Sequence, residues 1–402
     1  MELNKNVPTI RFNGFEDEWE EKKLGNIVYR LDNLRKPVKA SERISGNIPY
    51  YGANGIQDFV DGYTHDGDFV LLAEDGANDL KKYPIQYVKG KIWVNNHAHV
   101  IQGIVGEVEN LFLKNTLLKT NFEQIIVGGS RSKLNATTMM NIKINSAKTL
   151  TEQAQIGNFF KTLDSQINAQ EQKHQKLINL KKAMLEKMFP KEGSDLPEIR
   201  FKGFTEKWEE KKLGNIVKIF NGYAFQSKNF VLFNSNIIVL TPGNVKVCGG
   251  YQAEKGHYYN PNSQYLSKFK FEVNDIFITL TDLTPTGQTL GYPAIIPNDG
   301  NIYLHNQRLG KLFDIKTDRL FLYHFLCTNL YHTNVVSTSS GTTVKHSSSE
   351  KIQLIKIFVP SLKEQQKIGE YFEKLDNLIQ QSQEQIKKYK NIKQALLQKM
   401  FV

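Results

Sequence analysis

The sequence predicts an α+β protein. Two β-rich mixed domains are separated by a long antiparallel two-helix coiled coil, with pseudo-two-fold and circular organisation. Three observations predict this. A 21-residue segment occurs twice, a 40-residue helical segment occurs twice, and the stretches between them read as short strands broken by turns. The expected divisions are 1–149 for the first domain, 150–189 for the first helical spacer, 190–361 for the second domain (with 190–196 as linker) and 362–402 for the second spacer.

The first repeat is nearly literal. Residues 8–28 read PTIRFNGFEDEWEEKKLGNIV and residues 197–217 read PEIRFKGFTEKWEEKKLGNIV, identical at 16 of 21 positions at an offset of 189. The helical segments, 150–189 and 362–401, align without a gap at an offset of 212 and share 17 of 40 positions. The offset grows by 23, so the second intervening segment is 23 residues longer than the first. The intervening segments, about 29–149 and 218–361, show almost no similarity. The frames are duplicated and their contents differ.

Each helical segment has no internal proline and one glycine, Gly157 or Gly369. In the first, Ile156, Phe160, Leu163, Ile167, Leu177, Met184 and Met188 follow a 3/4 spacing that Gln170 and His174 interrupt. In the second, Ile368, Phe372, Leu375, Ile379, Ile386, Tyr389, Leu396 and Met400 do the same around Ser382. Apolar residues at this spacing among lysine and glutamate form a coiled-coil seam. Forty helical residues span about 60 Å, so a parallel pairing would need a return crossing of that length. The antiparallel pairing is simpler, and it brings Phe401 beside the first copy of the short repeat, as Phe189 lies beside the second.

The inserts read as mixed domains. Phe69–Ala73, Ile85–Val88, Ile92–Val94 and Val100–Ile104 look like strands in the first; Ile237–Leu240, Phe269–Val273, Ile276–Leu280 and Tyr292–Ile296 do in the second, where 318–332 looks helical. Their loops are rich in amides, hydroxyls and aromatics. Candidate nucleic-acid contacts by residue type and loop position are Arg35, Tyr51, Asn54, Asn78, Lys81, Asn96, Ser130, Arg131 and Lys133 in the first domain. In the second they are Tyr223, Phe225, Lys228, Asn244, Thr281, Asn306, Arg308, Thr343 and Lys345. Amides and arginine pair with base edges, and glycine-rich loops with hydroxyls and a cation hold phosphates. Each loop alone also fits ordinary turn chemistry on a solvated surface.

Net charge is +11, which favours polyanionic partners, but residues 1–149 carry 19 Lys and Arg against 18 Asp and Glu. Charge alone therefore does not identify the first domain as a nucleic-acid binder. No run of 18 apolar residues exists, and the N-terminus lacks an apolar signal-peptide core. The two cysteines, Cys248 and Cys327, form no metal pattern and no disulfide framework. A cytoplasmic protein without membrane contact is expected. No nucleotide-binding G-x-x-x-x-G-K-[ST], no amino-methyltransferase motif and no nuclease carboxylate pair with a following lysine is found. His97 and His99 could share a strand face, but no third ligand is near in sequence, so no metal is expected.

Trp19–Ile27 and Trp208–Ile216, Tyr50 with YGANG at 51–55, AEDGAN at 73–78 with NNHAH at 95–99, and L-x-E-Q-x-x-I-G at 150–157 and 362–369 together resemble the specificity subunit of type I restriction-modification enzymes over essentially the full chain. NGYAF at 221–225 and NQR at 306–308 add to the match. Asn145-Ser146-Ala147, before the first helix, departs from Phe358-Val359-Pro360 in the second copy. The resemblance implies a non-catalytic subunit in which two target-recognition domains each read half of an asymmetric, interrupted site on double-stranded DNA. It implies two modification subunits that carry S-adenosylmethionine and methylate adenine, and motor-nuclease subunits that use ATP and Mg to restrict foreign DNA. No cofactor is then bound by this chain. The alternatives are a self-sufficient methyltransferase or nuclease, and a coiled-coil scaffold that reads no sequence.

Overall fold

The computed structural model describes residues 6–126 and 133–402. They form two compact units, Met1–Gln172 with Gln383–Val402, and Lys173–Ser382. Both mix helix and sheet, as the expected α+β class requires.

In the first unit a six-stranded sheet of the described residues runs Val28–Arg30, Ala98–Gly103, His65–Ala73, Ile85–Val94, Ser45–Gly52, Gly55–Val60 in spatial order. All neighbours are antiparallel except Ser45–Gly52 beside Ile85–Val94. Period-2 alternation sends the apolar run Phe69–Ala73 to two cores. Val70 and Leu72 join Trp19, Ile101 and Phe112 on one face, while Phe69 and Leu71 join Tyr51, Val94 and Val100 on the other. Ile85–Val88 and Ile92–Val94, expected as two strands, are one, Ile85–Val94. Gly90, at φ +90°, pairs with Gly67 and carries the strand across the expected gap.

The second unit holds a four-stranded sheet (Lys218–Asn221, Leu309–Phe313, Ile276–Thr279, Pro293–Ile295) and a three-stranded one (His257–Tyr258, Ile237–Val239, Ile302–Leu304), among the described residues. Two expectations fail here. Phe269–Val273 is not a strand. A 3-10 turn covers Ser267–Phe269, the pairing that follows is a single antiparallel bridge of Lys270 to Leu304, and the Asp275 carboxylate accepts the Glu272 N–H at 2.7 Å, turning the chain before a ladder can extend. The predicted helix at 318–332 is two helices, Arg319–Leu326 and Asn329–Ser337, because the Thr328 hydroxyl accepts the Tyr331 N–H at 3.3 Å and caps a new start.

The duplicated frame folds the same way in each unit. Glu20–Lys23 pairs antiparallel with Lys143–Ser146, and Glu209–Lys212 pairs in the same register with Lys356–Val359. The long helices are Leu150–Lys187 and Leu362–Met400, so the departure at 145–147 leaves the helix start at the equivalent residue. Ion pairs give their sense. In the first unit Asp164 meets Lys393 and Glu171 meets Lys390; in the second, Asp376 meets Lys181. Numbers fall on one helix as they rise on the other, so the pairing is antiparallel.

The motif L-x-E-Q-x-x-I-G now has a physical reading. Gln153 accepts the Glu109 N–H at 2.9 Å, just before helix Asn110–Lys119, and donates to the Ala147 carbonyl at 2.8 Å. Gln365 does the same with Asp318 at 2.9 Å, before helix Arg319–Leu326, and with Pro360 at 2.7 Å. Gly157 lets Leu111 and Phe112 approach, and Gly369 lets Leu320 and Phe321 approach. The seam residues are buried or half-buried, but not only against the other helix. Ile156, Phe160 and Leu163 join the core of Trp19, Phe112 and Phe401, while Ile368, Phe372 and Leu375 join that of Trp208, Phe321 and Phe189.

Candidate nucleic-acid interface

In the first unit one charge network, buried at His99 and open to solvent at Lys133, gathers four loop motifs. Glu74, after strand His65–Ala73, accepts the Arg35 guanidinium at 2.6 Å and the Lys133 ammonium at 3.0 Å. His99 Nδ1 lies 2.7 Å from Asp32, and its Nε2 lies 2.7 Å from the Leu134 carbonyl oxygen. Asp32 also accepts the Val100 N–H at 2.8 Å. Burial acts to raise the Asp32 carboxyl, but hydrogen bonds from His99 and Val100 and the charges of His99 and Arg35 outweigh it and leave it below the usual range. Glu74 is likewise held low, burial being outweighed by Arg35 and Lys133.

Around this anchor the loops converge. The Gly52-Ala53-Asn54-Gly55 turn of the hairpin Ser45–Val60 docks on 76–78, where Asn54 donates to the Gly76 carbonyl at 2.8 Å and accepts the Asn78 N–H at 3.0 Å. Leu134 N–H donates to the Glu74 carbonyl at 2.7 Å, and Glu74 N–H to that of His97 at 2.8 Å. His97 Nδ1 lies 2.5 Å from Asp75. Among the described residues no three His, Cys, Asp or Glu side chains come together as a metal site. Asn54, Asn78, Lys81, Asn96 and Lys133 stand exposed on this rim; Arg35 is turned into the network and Tyr51 is buried. Ser130 and Arg131 lie outside the described residues.

In the second unit two motifs of the sequence meet. The Tyr223 N–H donates to the His305 carbonyl at 2.8 Å and Gln307 N–H to that of Tyr223 at 3.0 Å. A Cβ on Gly222 would lie 2.1 Å from the Asn306 oxygen, so only glycine permits this approach. The half-exposed Tyr223 ring packs on Phe225 and Phe269, both at 5.2 Å. Asn306 accepts the Arg308 N–H at 2.9 Å, leaving the Arg308 side chain exposed. The Leu280 N–H donates to the Arg308 carbonyl, and Ser347 N–H to that of Leu280, which joins this cluster to Thr281–Asp282 and its partner strand Lys345–His346. Lys228 and Thr343 are exposed, Lys345 half-buried. Thr281 is buried beside His346, and Asn244 is fully buried, holding the Thr241 N–H and the Gln252 carbonyl of its own turn.

Residue type alone did not single out the cation–ring pairs. The Lys268 ammonium lies 5.1 Å from the Phe269 ring centre, and Lys91 lies 4.7 Å from Tyr63. Their signal is a lysine one residue from an aromatic in the first case; in the second it exists only between the turn before strand His65–Ala73 and strand Ile85–Val94.

Two rims of amides, cations and rings on equivalent frames are an arrangement for reading a polyanion with exposed polar edges. The family model of the type I restriction modification DNA specificity domain matches residues 16–179 and again 205–388. The chain therefore belongs to the family of type I restriction-modification DNA specificity subunits, with two target-recognition domains. It is 46% identical over 144 residues to a Haemophilus influenzae chain assigned as a type I restriction enzyme specificity subunit, a match covering 36% of this chain and 37% of that one. It is 23% identical over 409 residues to the MjaVIII specificity subunit of Methanocaldococcus jannaschii, covering 93% and 90%. The fold is similar to the crystal structure of the type I restriction-modification S subunit from M. genitalium, with a TM-score of 0.66 at 14% identity over 98% of this chain and 99% of that one. No helix among the described residues is long and apolar enough to cross a membrane.

Proposed function

We propose that this chain reads an asymmetric, bipartite site on double-stranded DNA, one half with each rim, on behalf of partner subunits that do the chemistry. The observation that carries this is the contrast between the frames and the rims. The frames align without a gap and pair their strands in the same way, while the rims share neither sequence nor strand order. A protein that read one sequence twice would have no use for two unlike rims. The exposed Asn54, Asn78, Lys81, Asn96 and Lys133 serve one half-site, and Tyr223, Phe225, Lys228, Asn306, Arg308, Thr343 and Lys345 the other. Arg35, Tyr51, Asn244 and Thr281 act behind them by holding the loops.

The long helices, each shared between the two units, set the gap between half-sites. Two adenine-methylating modification subunits dock on the repeated frame and bring S-adenosylmethionine, and motor-nuclease subunits join for restriction of foreign DNA with ATP and Mg. The test is single-molecule methylation sequencing of DNA modified by the assembled complex. A motif of two unlike halves with a fixed gap is expected. Exchanging residues 29–149 for those of another family member should change one half only. A continuous or palindromic motif, or methylation by this chain alone, would overturn the reading.

A further inference from the structure

We infer that Cys248 and Cys327 are an oxidisable pair, a site where peroxide converts two thiols into a disulfide that pins the 246–250 turn to the end of helix Arg319–Leu326. The site lies within the second unit and is independent of the functional reading above.

These are the only two cysteines in 402 residues, and they stand 79 positions apart with nothing in the sequence to link them. The fold brings them to one place. Cys327 closes helix Arg319–Leu326, its N–H donating to the His324 carbonyl at 3.1 Å, and it is 3% exposed. The neighbouring turn is tightly held. Lys246 N–H donates to the Gly250 carbonyl at 2.8 Å, Gly249 N–H to that of Lys246 at 3.0 Å, and Gly250 N–H to that of Pro293 at 2.8 Å. A Cβ on Gly249 would lie 2.5 Å from the Cys327 sulfur. The residue next to Cys248 therefore touches the other thiol, and consecutive Cα atoms are only about 3.8 Å apart.

Two buried tyrosines complete the cluster. The Tyr292 hydroxyl hydrogen-bonds Cys248, and burial and the two thiols together push it well up. The Tyr323 hydroxyl hydrogen-bonds Cys327. The backbone adds a second sign. Cys248 stands at φ +66°, followed by Gly249 at +91° and Gly250 at +107°. The left-handed region favours glycine or asparagine and is strained for a cysteine. Here the strained residue carries the thiol, and the two glycines after it let the turn adjust to the geometry that a disulfide requires.

The thiols have different parts. Cys248 is exposed and meets the oxidant. Burial pushes the Cys327 thiol up to about 12, so it stays protonated at neutral pH, and a thiol attacks peroxide only as the thiolate. The Cys248 sulfur, after losing its proton to water, attacks one oxygen of hydrogen peroxide. The O–O bond breaks, hydroxide leaves and takes up that proton, and Cys248 becomes a sulfenic acid. The Cys327 sulfur then displaces hydroxide from the Cys248 sulfur, and the hydroxide leaves with the Cys327 proton as water. Two thiols and one peroxide give one disulfide and two waters, the two electrons of the thiols reducing the O–O bond. The bond closes a loop of 80 residues, Cys248 to Cys327. A cross-link over so long a loop restricts the unfolded chain far more than the folded one, so it stabilises the unit.

The test treats the reduced full chain with a few equivalents of hydrogen peroxide and follows it by intact mass, peptide mapping and calorimetry. The chain should lose two hydrogens, yield one peptide joining Cys248 to Cys327, and recover both thiols with dithiothreitol. The unfolding midpoint of the second unit should rise by about 5–10 °C on oxidation. Cys248→Ser should lose no hydrogens and show no shift. In Cys327→Ala the sulfenic acid should persist on Cys248 and be trapped by dimedone, whereas the wild-type chain should give little trapped product. Should Cys327→Ala fail to fold, the wild-type peptide map and Cys248→Ser still decide. Sulfinic or sulfonic acid on Cys248 with Cys327 left as a free thiol overturns the inference. So does a disulfide that joins two chains through Cys248.

Discussion

Arg11 and Glu152 form a two-bonded ion pair at 2.6 and 2.8 Å, and Arg200 and Glu364 repeat it at the same two distances. The carboxylates are almost wholly buried, at 1% side-chain exposure. Each arginine comes from the short repeat and each glutamate from the first turn of a long helix, so the pair ties the two repeated segments together. Removing the arginine leaves a buried carboxylate without its counter-charge. Arg11→Ala should therefore cost about 3–5 kcal/mol, and Arg200→Ala a similar amount, in urea unfolding followed by tryptophan fluorescence. A cost below 1 kcal/mol would mean that water reaches these carboxylates.

Gly157→Ala sets helix propensity against packing. Alanine is favoured over glycine inside a helix by about 1 kcal/mol. The new Cβ, however, would lie 2.8 Å from the Leu111 Cβ and 3.0 Å from the Phe112 nitrogen. Backbone does not yield as a side-chain tip does, and overpacking typically costs about 1–3 kcal/mol. Net destabilisation is expected here and at Gly369, where Leu320 and Phe321 stand equally close. A raised melting temperature in Gly157→Ala would show that the two helices separate freely.

His305 gives the second unit a pH dependence of predictable sign. Its Nε2 donates to the Leu309 carbonyl at 2.9 Å, its ring packs on Phe271 and Phe220, and burial pushes its pKa down to about 4. The unfolded chain, with histidine near 6.5, binds the proton more readily than the fold does. Stability is then full above pH 6.5 and falls as pH drops from 6.5 towards 4, by about 3 kcal/mol for this group. The depressed His324 and His332 add in the same direction. Urea titrations at pH 7 and pH 5 should show the loss, and His305→Gln should flatten it. An unchanged slope in the variant would assign the effect elsewhere. The Asp32 and Glu74 carboxyls, held low, contribute stability that is lost only at lower pH, below about 4.

Arg308→Ala and Asn78→Ala test the two rims separately. If Arg308 makes a two-bonded base contact, its loss should cost about 1–3 kcal/mol and relax one base of one half-site. Asn78→Ala should act on the other half alone. Competition binding against single-base variants of the methylation motif reads both effects. A uniform weakening across all sequences would place Arg308 on a phosphate instead.

The frames were legible because they are repeated, and repetition exposes which residues matter: Glu152, Gln153, Gly157 and Phe189 all prove to have contacts that explain them. The rims were legible only in part. Arg35 and Asn244 have the side chains of base readers, yet both are spent inside. What spends them is Glu74, 39 residues away, in one case and a carbonyl across a turn in the other. Sequence spacing carries no sign of either. The hairpin Ser45–Val60 was read as a loop motif around Tyr51 and Asn54. Its register shifts at Ser45/Ile48 and Tyr50/Tyr51 interrupt the alternation that marks a strand.

The edge-on and tilted packing of Trp19, Phe112 and Phe160 around Phe401 has a consequence for folding during synthesis. The first unit takes its last 20 residues from the far end of the chain, while the second is complete within 173–382. Domains commonly fold in the order they are synthesised. Here the half made first holds an unfilled aromatic socket until translation reaches Met400 and Phe401, and the half made second is the first that can close.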